Sequence, residues 1–414
     1  MVQSVVIVEP FSSGALLAGR FQQLGFECVA LHLRPLSGTL SASFRSEDFV
    51  RSITFSGDLD ELLRELDDYD LVAIVPGQEA GVDLANELSS RFGLAHNDPA
   101  LAYARRDKYN MHKVVDAAGY RSIEQIKAKE FREAEEWLES RNLWPVVVKP
   151  VLSGGTDGVR ICDNVAEARD AFESEIGKIN LLGFPNDEML AQELIDGVEF
   201  AIDTVTSSGK HQVVSVARYD KERGVGGGPI YRSMRFIPPE HWHECEEIID
   251  YTFDVLDALG IRVGPSHTEV FVDDNGPVLV ESGARLCGAM VPRYVDAVST
   301  MSPLDLAVVS YVDPARFEAM CSQDREYTDH LEVVMLKNSL EGMVQDMPGK
   351  EVIEELNTVR DVFWYAAPGG SVKPTNDLLS SLGLVFLIGQ ASDVARDIEI
   401  IREMEKAESL IAVG

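Results

Sequence analysis

Cysteine and long apolar runs are scarce in this sequence of 414 residues. The five cysteines are widely separated and never stand in a Cys-x-x-Cys spacing, which argues against a disulfide framework or a structural zinc site. No apolar run reaches the roughly 18 residues that cross a bilayer. The N-terminal stretch MVQSVVIVEP lacks the basic and long apolar regions of a signal peptide. These absences predict a cytoplasmic protein.

Basic residues are also few. The chain has 37 lysines and arginines against 69 acidic residues, which gives a formal net charge of −32. Nucleic acids and anionic membranes bind basic surfaces, so neither is an expected partner. An anionic small-molecule substrate in a locally basic cleft is still compatible with this charge. The expected partners are therefore small molecules.

The length predicts several domains, because one hydrophobic core rarely organises so many residues. Apolar runs at 4–8 and 71–77, each followed by a helical pattern, predict a parallel, Rossmann-like α/β domain. Its first turn has no Gly-x-Gly-x-x-Gly motif, so we do not expect a dinucleotide site. The predicted domains are 1–100, a smaller domain over 101–190 with a glycine-rich loop, a larger domain over 191–314 with an acidic hairpin, and an α+β segment over 315–414.

The acidic hairpin is the most informative segment. Two alternating apolar runs flank an Asp-Asn-Gly sequence, which is a strong hairpin signal. A turn centred on Asn275 places Glu269 opposite Glu281 and His267 opposite Gly283. The alternation of side chains along a strand then puts these residues on one face of the hairpin.

Two facing carboxylates need a cation between them. Opposed side chains have Cβ atoms about 5 Å apart, so bare carboxylates would repel by about 3 kcal/mol at an effective dielectric constant near ~20. Mg²⁺ prefers such oxygen ligands and is often shared with substrate phosphates. Arg285 follows on the same face, and its guanidinium fork matches a phosphate or carboxylate. The residues alone also fit an exposed acidic hairpin in which Arg285 pairs with Glu281.

Two further segments suit a nucleotide. Lys149 ends a Val-Val-Val strand just before the glycine-rich loop at 153–158, whose backbone N–H groups could hold phosphate oxygens. The spacing is not that of a Walker A motif, which disfavours a P-loop NTPase. The segment from Gln192 to Glu199 contains the end of a strand, a glycine turn and an acid. Its backbone groups could bind a nucleotide base, and Glu199 could accept hydrogen bonds from ribose hydroxyls. Taken singly, each segment also fits ordinary strands and turns.

Together and in this order, these motifs resemble the ATP-grasp superfamily of ligases. The Glu-Ser-x-Ala-Arg form at 281–285 is similar to the bacterial L-amino-acid ligases that make dipeptides, the bacilysin-synthesis type. The resemblance covers roughly residues 1–310. It implies an ATP-grasp fold of α/β and α+β class: an N-terminal pre-ATP-grasp domain, small and large ATP-grasp subdomains and a C-terminal α+β domain. It also implies ATP and Mg²⁺ as cofactors and, commonly, a homodimer.

The resemblance assigns roles to individual residues. Glu269 and Glu281 would hold the metal, and Arg285 with Glu281 would form the catalytic centre. Many members carry a metal-binding Asn where this chain has Gly283, which cannot coordinate. The expected ATP-binding residues are Lys108, Lys149, Ser153, Gly154, Gly155, Gln192, Glu193, Leu194, Ile195 and Glu199.

The expected substrate-binding residues are Glu79, His267, Gly283 and Arg285. Glu79 follows a Pro-Gly turn at the end of a strand in the first domain, where a ligand site is expected. It could hold a substrate ammonium, although an exposed loop acid fits equally well. His267 could contact the substrate carboxylate or support Glu269.

The implied activity is that of an ATP- and Mg²⁺-dependent carboxylate–amine ligase. It would form an amide or dipeptide bond from an amino acid through an acyl phosphate and release ADP and phosphate. The glycine-rich loop at 224–228 is expected to be mobile and to close over the acyl phosphate. Two alternatives stay open: a carboxylase or purine-pathway ligase on the same scaffold, and a non-catalytic nucleotide-binding regulator.

Overall fold

The computed structural model describes residues 2–36, 43–224, 226–378 and 380–414. The first part is the parallel α/β unit that the sequence predicts. Its strands lie in the order β3-β2-β1-β4. Val5 and Ile7 pack into one core and Val6 and Val8 into another, because both faces of the sheet are covered by helices. The elements are β1 (Gln3–Val8), α1 (Leu17–Gln23), β2 (Glu27–His32), β3 (Arg51–Thr54), α2 (Leu59–Leu66), β4 (Asp70–Pro76) and α3 (Val82–Arg91).

A small antiparallel sheet of order β5-β8-β6-β7 follows, with two helices packed on it. The second of these helices begins with a capping box. Asn164 accepts a hydrogen bond from the backbone N–H of Glu167, and the Glu167 carboxylate accepts one from the N–H of Asp163. The elements are α4 (Lys108–Ala117), β5 (Gln125–Ala128), α5 (Phe131–Arg141), β6 (Val146–Pro150), β7 (Arg160–Cys162), α6 (Val165–Glu175) and β8 (Met189–Glu193).

The largest sheet has eight strands in the order β13-β12-β9-β10-β11-β14-β18-β16. It continues past residue 314, so the C-terminal segment shares this sheet with the preceding domain; the four predicted domain limits stay predictions. Helices α4 and α7 pack on one part of it and α8 on another. Its first five strands and the neighbouring helices are β9 (Val198–Ser207), β10 (Lys210–Arg223), β11 (Pro229–Phe236), α7 (Glu246–Ala258), β12 (Gly264–Asp273), β13 (Gly276–Gly283), α8 (Val291–Val298), α9 (Pro303–Val312) and α10 (Pro314–Cys321).

The C-terminal segment completes the eight-stranded sheet and adds a small sheet of order β17-β15-β19. A core of aliphatic side chains joins this small sheet to the last helix. Within the described ranges, no helix is long and apolar enough to cross a membrane. The elements are β14 (His330–Met335), β15 (Gly342–Asp346), α11 (Gly349–Glu354), β16 (Val359–Trp364), β17 (Ser371–Val372), β18 (Gly383–Gly389), α12 (Ala391–Lys406) and β19 (Ala412–Val413).

Candidate active site

The hairpin of β12 and β13 brings the two predicted metal ligands face to face. Glu269 pairs with Glu281, and His267 pairs with Gly283, as the sequence predicts. Strand β9 lies on the other side of β12, which holds this edge of the hairpin inside the sheet. The two carboxylates therefore come from neighbouring strands whose positions are fixed by backbone hydrogen bonds.

The predicted position of the turn was wrong. Asp273 pairs with Gly276, so the loop has two residues and is not centred on the asparagine. Farther along, Val270 pairs with Leu279, and Val280 is an extra residue that shifts the register by one. The bulge offsets the displaced turn, which is why the glutamates still face each other.

Lys108 connects the hairpin to the glycine-rich loop. It is the first residue of α4, whose N-terminus is capped by Asp107 through the backbone N–H of Asn110. The Lys108 ammonium lies 2.9 Å from a carboxylate oxygen of Glu281 and donates to the backbone carbonyl of Ser153. Three segments that are far apart in the sequence therefore meet at one cation.

Lys149 is the second cation near these carboxylates. Burial lowers its pKa to about 8, and the charge of nearby Lys108 adds to this effect. Glu281, Glu269 and Glu199 act in the opposite direction. Two close cations favour a polyanion between them, because its charge stabilises both ammonium groups.

The loop between β6 and β7 is built around Asp157. Its carboxylate accepts a hydrogen bond from the Ser153 hydroxyl at 3.0 Å and another from the backbone N–H of Leu181 at 2.7 Å. Gly155 has φ +65°, a left-handed conformation that costs glycine little. At Gly154 a side chain would meet open space, so this backbone is open on the cavity side.

The segment predicted for the adenine base lies at the end of β8. The side chain of Gln192 donates to Gln125 at 2.6 Å, and that of Glu193 accepts from the N–H of Glu124 at 2.9 Å. These side chains are therefore engaged within the protein. Leu194 continues the segment, and Ile195 packs with an apolar group formed by Ile123, Phe271 and Val278.

Glu199 is a buried acid with an unused oxygen. One carboxylate oxygen pairs with Lys221, while the other, Oε1, is buried without a hydrogen-bond partner among the described residues. Burial raises the pKa of Glu199 to about 7, although Lys221 acts to lower it. An unpaired buried oxygen is costly unless a ligand supplies a donor, and a ribose hydroxyl is such a donor.

We expect Glu199→Gln to weaken nucleotide binding about 10-fold, since a hydrogen bond to a charged acceptor is lost. In the wild type, binding should also tighten as the pH rises through about 7, because the carboxylate that accepts the hydrogen bond becomes ionised. Calorimetry with a non-hydrolysable ATP analogue at two pH values would measure both effects. The titration of the nucleotide itself cancels when the two proteins are compared, so an equal pH response would contradict the prediction.

A chain of buried polar groups supports Glu269. His267 bonds through Nδ1 to Asp203 at 2.7 Å, and its Nε2 lies 3.6 Å from Glu269. Burial acts to lower the pKa of His267, but Cys287 and Asp203 raise it well above the ordinary value. Burial likewise acts to raise the pKa of Glu269, but the charge and hydrogen bonding of His267 lower it to about 2. Glu269 is therefore ionised at neutral pH.

Glu79, between β4 and α3, and Arg285, just after β13, form an ion pair, with Nε of Arg285 3.0 Å from Oε2 of Glu79. Burial acts to lower the pKa of Arg285, but the charge of Glu79 raises it. Gly283 leaves the space for this pair. A Cβ atom at Gly283 would lie 2.8 Å from the Glu79 carboxylate and 3.2 Å from the Arg285 guanidinium carbon.

A cavity of about 920 Å³ adjoins part of this site; the site residues that do not line it include Lys149, Glu199, His267 and Glu269. Its wall includes Lys108, Glu281, Gly283 and Arg285. The remaining lining is largely apolar. The first domain and the C-terminal segment also contribute to it, through Ser12, Ser13, Glu79, Val362, Phe363, Trp364 and Tyr365.

The loop at 224–228 is hydrogen-bonded to neighbouring segments of the chain. The N–H of Gly226 donates to Asn376 at 3.1 Å, and the carbonyl of Gly227 accepts from Ile161 at 2.7 Å. No described residue of this loop lines the cavity, and Val225 lies outside the described residues. Its closure over an acyl phosphate stays a prediction.

Sequence reasoning missed several contributors to the site. Lys221 lies on β10 and carries no motif, although its charge balances Glu199. Asp203 lies on β9 and Cys287 in the segment after β13, and they become relevant only because the fold places them beside His267. Arg106 stands two residues before Lys108 and also lines the cavity. Its proximity to a predicted ATP-binding lysine was the one signal available in the sequence.

The residues present have the chemistry to hold Mg²⁺ and a nucleotide. Glu269 is an ionised oxygen ligand that faces Glu281 across the hairpin. Two lysines stand beside these carboxylates. The unpaired oxygen of Glu199 adds an acceptor on the same sheet.

Comparison with known proteins gives three kinds of match. A family model described as an ATP-grasp domain matches residues 142–293. The chain is 32% identical over 398 residues to dapdiamide A synthase of Enterobacter agglomerans, covering 93% of this chain and 91% of that protein. It is 28% identical over 174 residues, 41% of each chain, to an L-arginine-specific L-amino acid ligase of Bacillus subtilis. The solved structure of an L-amino acid ligase from Bacillus licheniformis has the same fold, with a TM-score of 0.78, 18% identity and coverage of 100% of this chain and 99% of that one.

Proposed function

This chain belongs to the ATP-grasp ligases, and we propose that its described residues carry out an ATP- and Mg²⁺-dependent joining of an amino-acid carboxylate to an amine. The product is an amide or a dipeptide, released with ADP and phosphate. The observation that best supports this proposal is the position of Lys108, which links Glu281 to the glycine-rich loop at the wall of the cavity.

A free carboxylate is a poor electrophile, so it must be activated before an amine attacks. Bound ATP with Mg²⁺ supplies a phosphoryl group to a carboxylate oxygen, which gives an acyl phosphate and ADP, while the metal neutralises phosphate charge. The acceptor amine then forms a bond to the acyl carbon as the carbon–oxygen bond to phosphate breaks. The amine loses a proton and phosphate leaves.

The residues act mainly by holding charge in place, since phosphoryl transfer depends on positioning and electrostatics. Glu269 and Glu281 hold the metal, and Lys108 and Lys149 hold phosphate oxygens. Arg285 directs its guanidinium fork at the acyl phosphate.

The substrate and nucleotide base occupy opposite sides of this centre in the proposal. Glu79 holds the ammonium of the amino acid whose carboxylate is activated, with Gly283 giving room for it. His267 supports Glu269 rather than the substrate, because its two nitrogens already face Asp203 and Glu269. The base lies against the segment from Gln192 to Ile195, including Leu194, and Glu199 accepts ribose hydroxyls.

We also propose that the enzyme is a cytoplasmic homodimer. All five cysteines are free, and four of them are buried, which suits a reducing compartment. The dimer rests on the family resemblance and is tested by light scattering on the purified protein. A monomer at assay concentrations would remove that part of the proposal.

The activity is tested by incubating the protein with ATP, Mg²⁺ and pairs of L-amino acids while ADP and phosphate are measured. We expect ADP release only when both a donor and an acceptor are present, with a product whose mass is the sum of the two minus water. ADP release that depends on bicarbonate would favour a carboxylase instead. Tight ATP binding without turnover in any mixture would favour a regulator.

A further inference from the structure

Arg106 is a cation of the cavity that the proposed chemistry does not use. It lines the cavity beside Glu79, and its side chain is only 10% exposed. A terminal nitrogen, Nη1, lies 2.6 Å from Asp83, and the guanidinium carbon lies 4.9 Å from the centre of the Phe184 ring. Asp83 lies on α3 and Phe184 between α6 and β8, so the guanidinium is held between two separate segments of the chain.

The Nε of Arg106 is buried and has no hydrogen-bond partner among the described residues. It lies 3.8 Å from Oε1 of Glu79, which is beyond hydrogen-bond distance. Glu79 thus has one oxygen towards Arg285 and the other towards Arg106. A buried guanidinium N–H without a partner is costly, and a bound anion would satisfy it.

The cationic side chains of the cavity wall outnumber the acidic ones. The wall has four cationic and two acidic side chains, although the whole chain has a formal net charge of −32. Lys108 pairs with Glu281 and Arg285 with Glu79. The charged residues that the structure describes in this wall are Glu79, Arg105, Arg106, Lys108, Glu281 and Arg285.

Arg105 and Arg106 differ in how they are used. Arg105 is buried, and its Nη1 donates to the backbone carbonyls of Asp98 and Leu259, which makes it part of the fold; its Nη2 has no hydrogen-bond partner among the described residues. The partner of Arg106, Asp83, does not line the cavity, and its side chain is 54% exposed. Water screens the charge of such an acid. Arg106 and Arg285 therefore share the single charge of Glu79, which leaves room for an anion beside Arg106.

We propose that Arg106 binds the α-carboxylate of the acceptor, which makes the acceptor an amino acid rather than a simple amine. This inference rests on the proposed function. When two amino acids are joined, the donor carboxylate is consumed, whereas the acceptor carboxylate survives in the product. The reaction thus needs two anion sites, and Arg285 and Arg106, one on each side of Glu79, supply them.

The experiment compares one acceptor L-amino acid with its carboxamide, using the same donor, in the wild type and in Arg106→Gln. We expect the wild type to prefer the acid, and the variant to raise KM for the acid by about 10-fold or more, because a charge-assisted hydrogen bond is lost. KM for ATP and KM for the carboxamide should stay within about twofold. Arg106→Lys should recover part of the preference for the acid, since it keeps the charge.

Arg91→Gln is the matched control, because Arg91 is an exposed arginine of α3, the helix that also carries Asp83, and it pairs with Glu87. It should leave all three constants unchanged. If Arg106→Gln folds poorly, Asp83→Asn offers a second variant that loosens the guanidinium without removing it, and it should raise KM for the acid selectively.

The inference would be overturned if KM rose equally for the acid and the carboxamide. It would also be overturned by an effect confined to KM for ATP, or by an effect that depends on a carboxylate in the side chain of the donor. Complete absence of turnover in the wild type with every amino-acid pair would refute the proposed function instead. The two failures are therefore distinguishable.

Discussion

Glu281→Gln is expected to lower kcat/KM by at least about 100-fold, which is the scale of losing one group that stabilises charge in a transition state. The substitution keeps the shape of the side chain but removes the negative charge of a proposed metal ligand and the ion partner of Lys108. The side chain is partly exposed, at 26%, so the melting temperature should change little. Steady-state phosphate release and thermal unfolding measure the two quantities.

Asp274→Asn is the control for this variant. It removes one acid from the exposed loop of the same hairpin, where a neutral side chain fits equally well. Its rate should equal that of the wild type. Near-wild-type turnover in Glu281→Gln, or an equal loss in both variants, would mean that the hairpin is structural rather than catalytic.

Gly283→Ala is expected to lower kcat/KM by up to about 100-fold, because a misplacement of about 1 Å at a reacting centre has effects of this size. The added methyl group would overlap the Glu79 carboxylate, since its carbon would lie 2.8 Å from Oε2 of that side chain. Either the Glu79–Arg285 pair or the hairpin backbone must then move. For the same reason, the asparagine found in many relatives cannot be introduced here without cost.

Gly288→Ala provides the comparison. Gly288 lines the same cavity, and a Cβ atom there would meet nothing within 4 Å. We expect its kinetics to match those of the wild type. Adding Glu79→Ala to Gly283→Ala tests the cause, since the double variant should be no slower than Glu79→Ala alone. A further multiplicative loss would show that the clash lies elsewhere.

Much of the fold could be predicted from local patterns. The run at 4–8 is continuously apolar because β1 is covered on both faces, and the helical period after residue 82 marks α3. The shared eight-stranded sheet was not visible in the same way. β14 and β18 pair across about fifty intervening residues, and no local signal states which distant strand a given strand will join.

The candidate site was predictable where the sequence fixes geometry over short distances. Glu269 and Glu281 were paired correctly because alternation puts both on one face and because the bulge at Val280 offsets the displaced turn. The bulge at Val280 could not be seen, because Val278, Leu279 and Val280 are all apolar and the pattern does not show which of them is extra. Lys221 and Asp203 could not be found either, since their importance arises from neighbours that the fold supplies.

The two outer strands of the eight-stranded sheet, β13 and β16, border the same cavity. The sheet therefore curves enough to bring its first and last strands to opposite walls of one chamber. The wall at β13 carries the charged groups of the reaction, and the wall at β16 is mainly aromatic and aliphatic. Evolution can consequently reshape the aromatic wall to accept a new side chain while the distant acidic strand, and with it the bond-forming chemistry, is inherited unchanged.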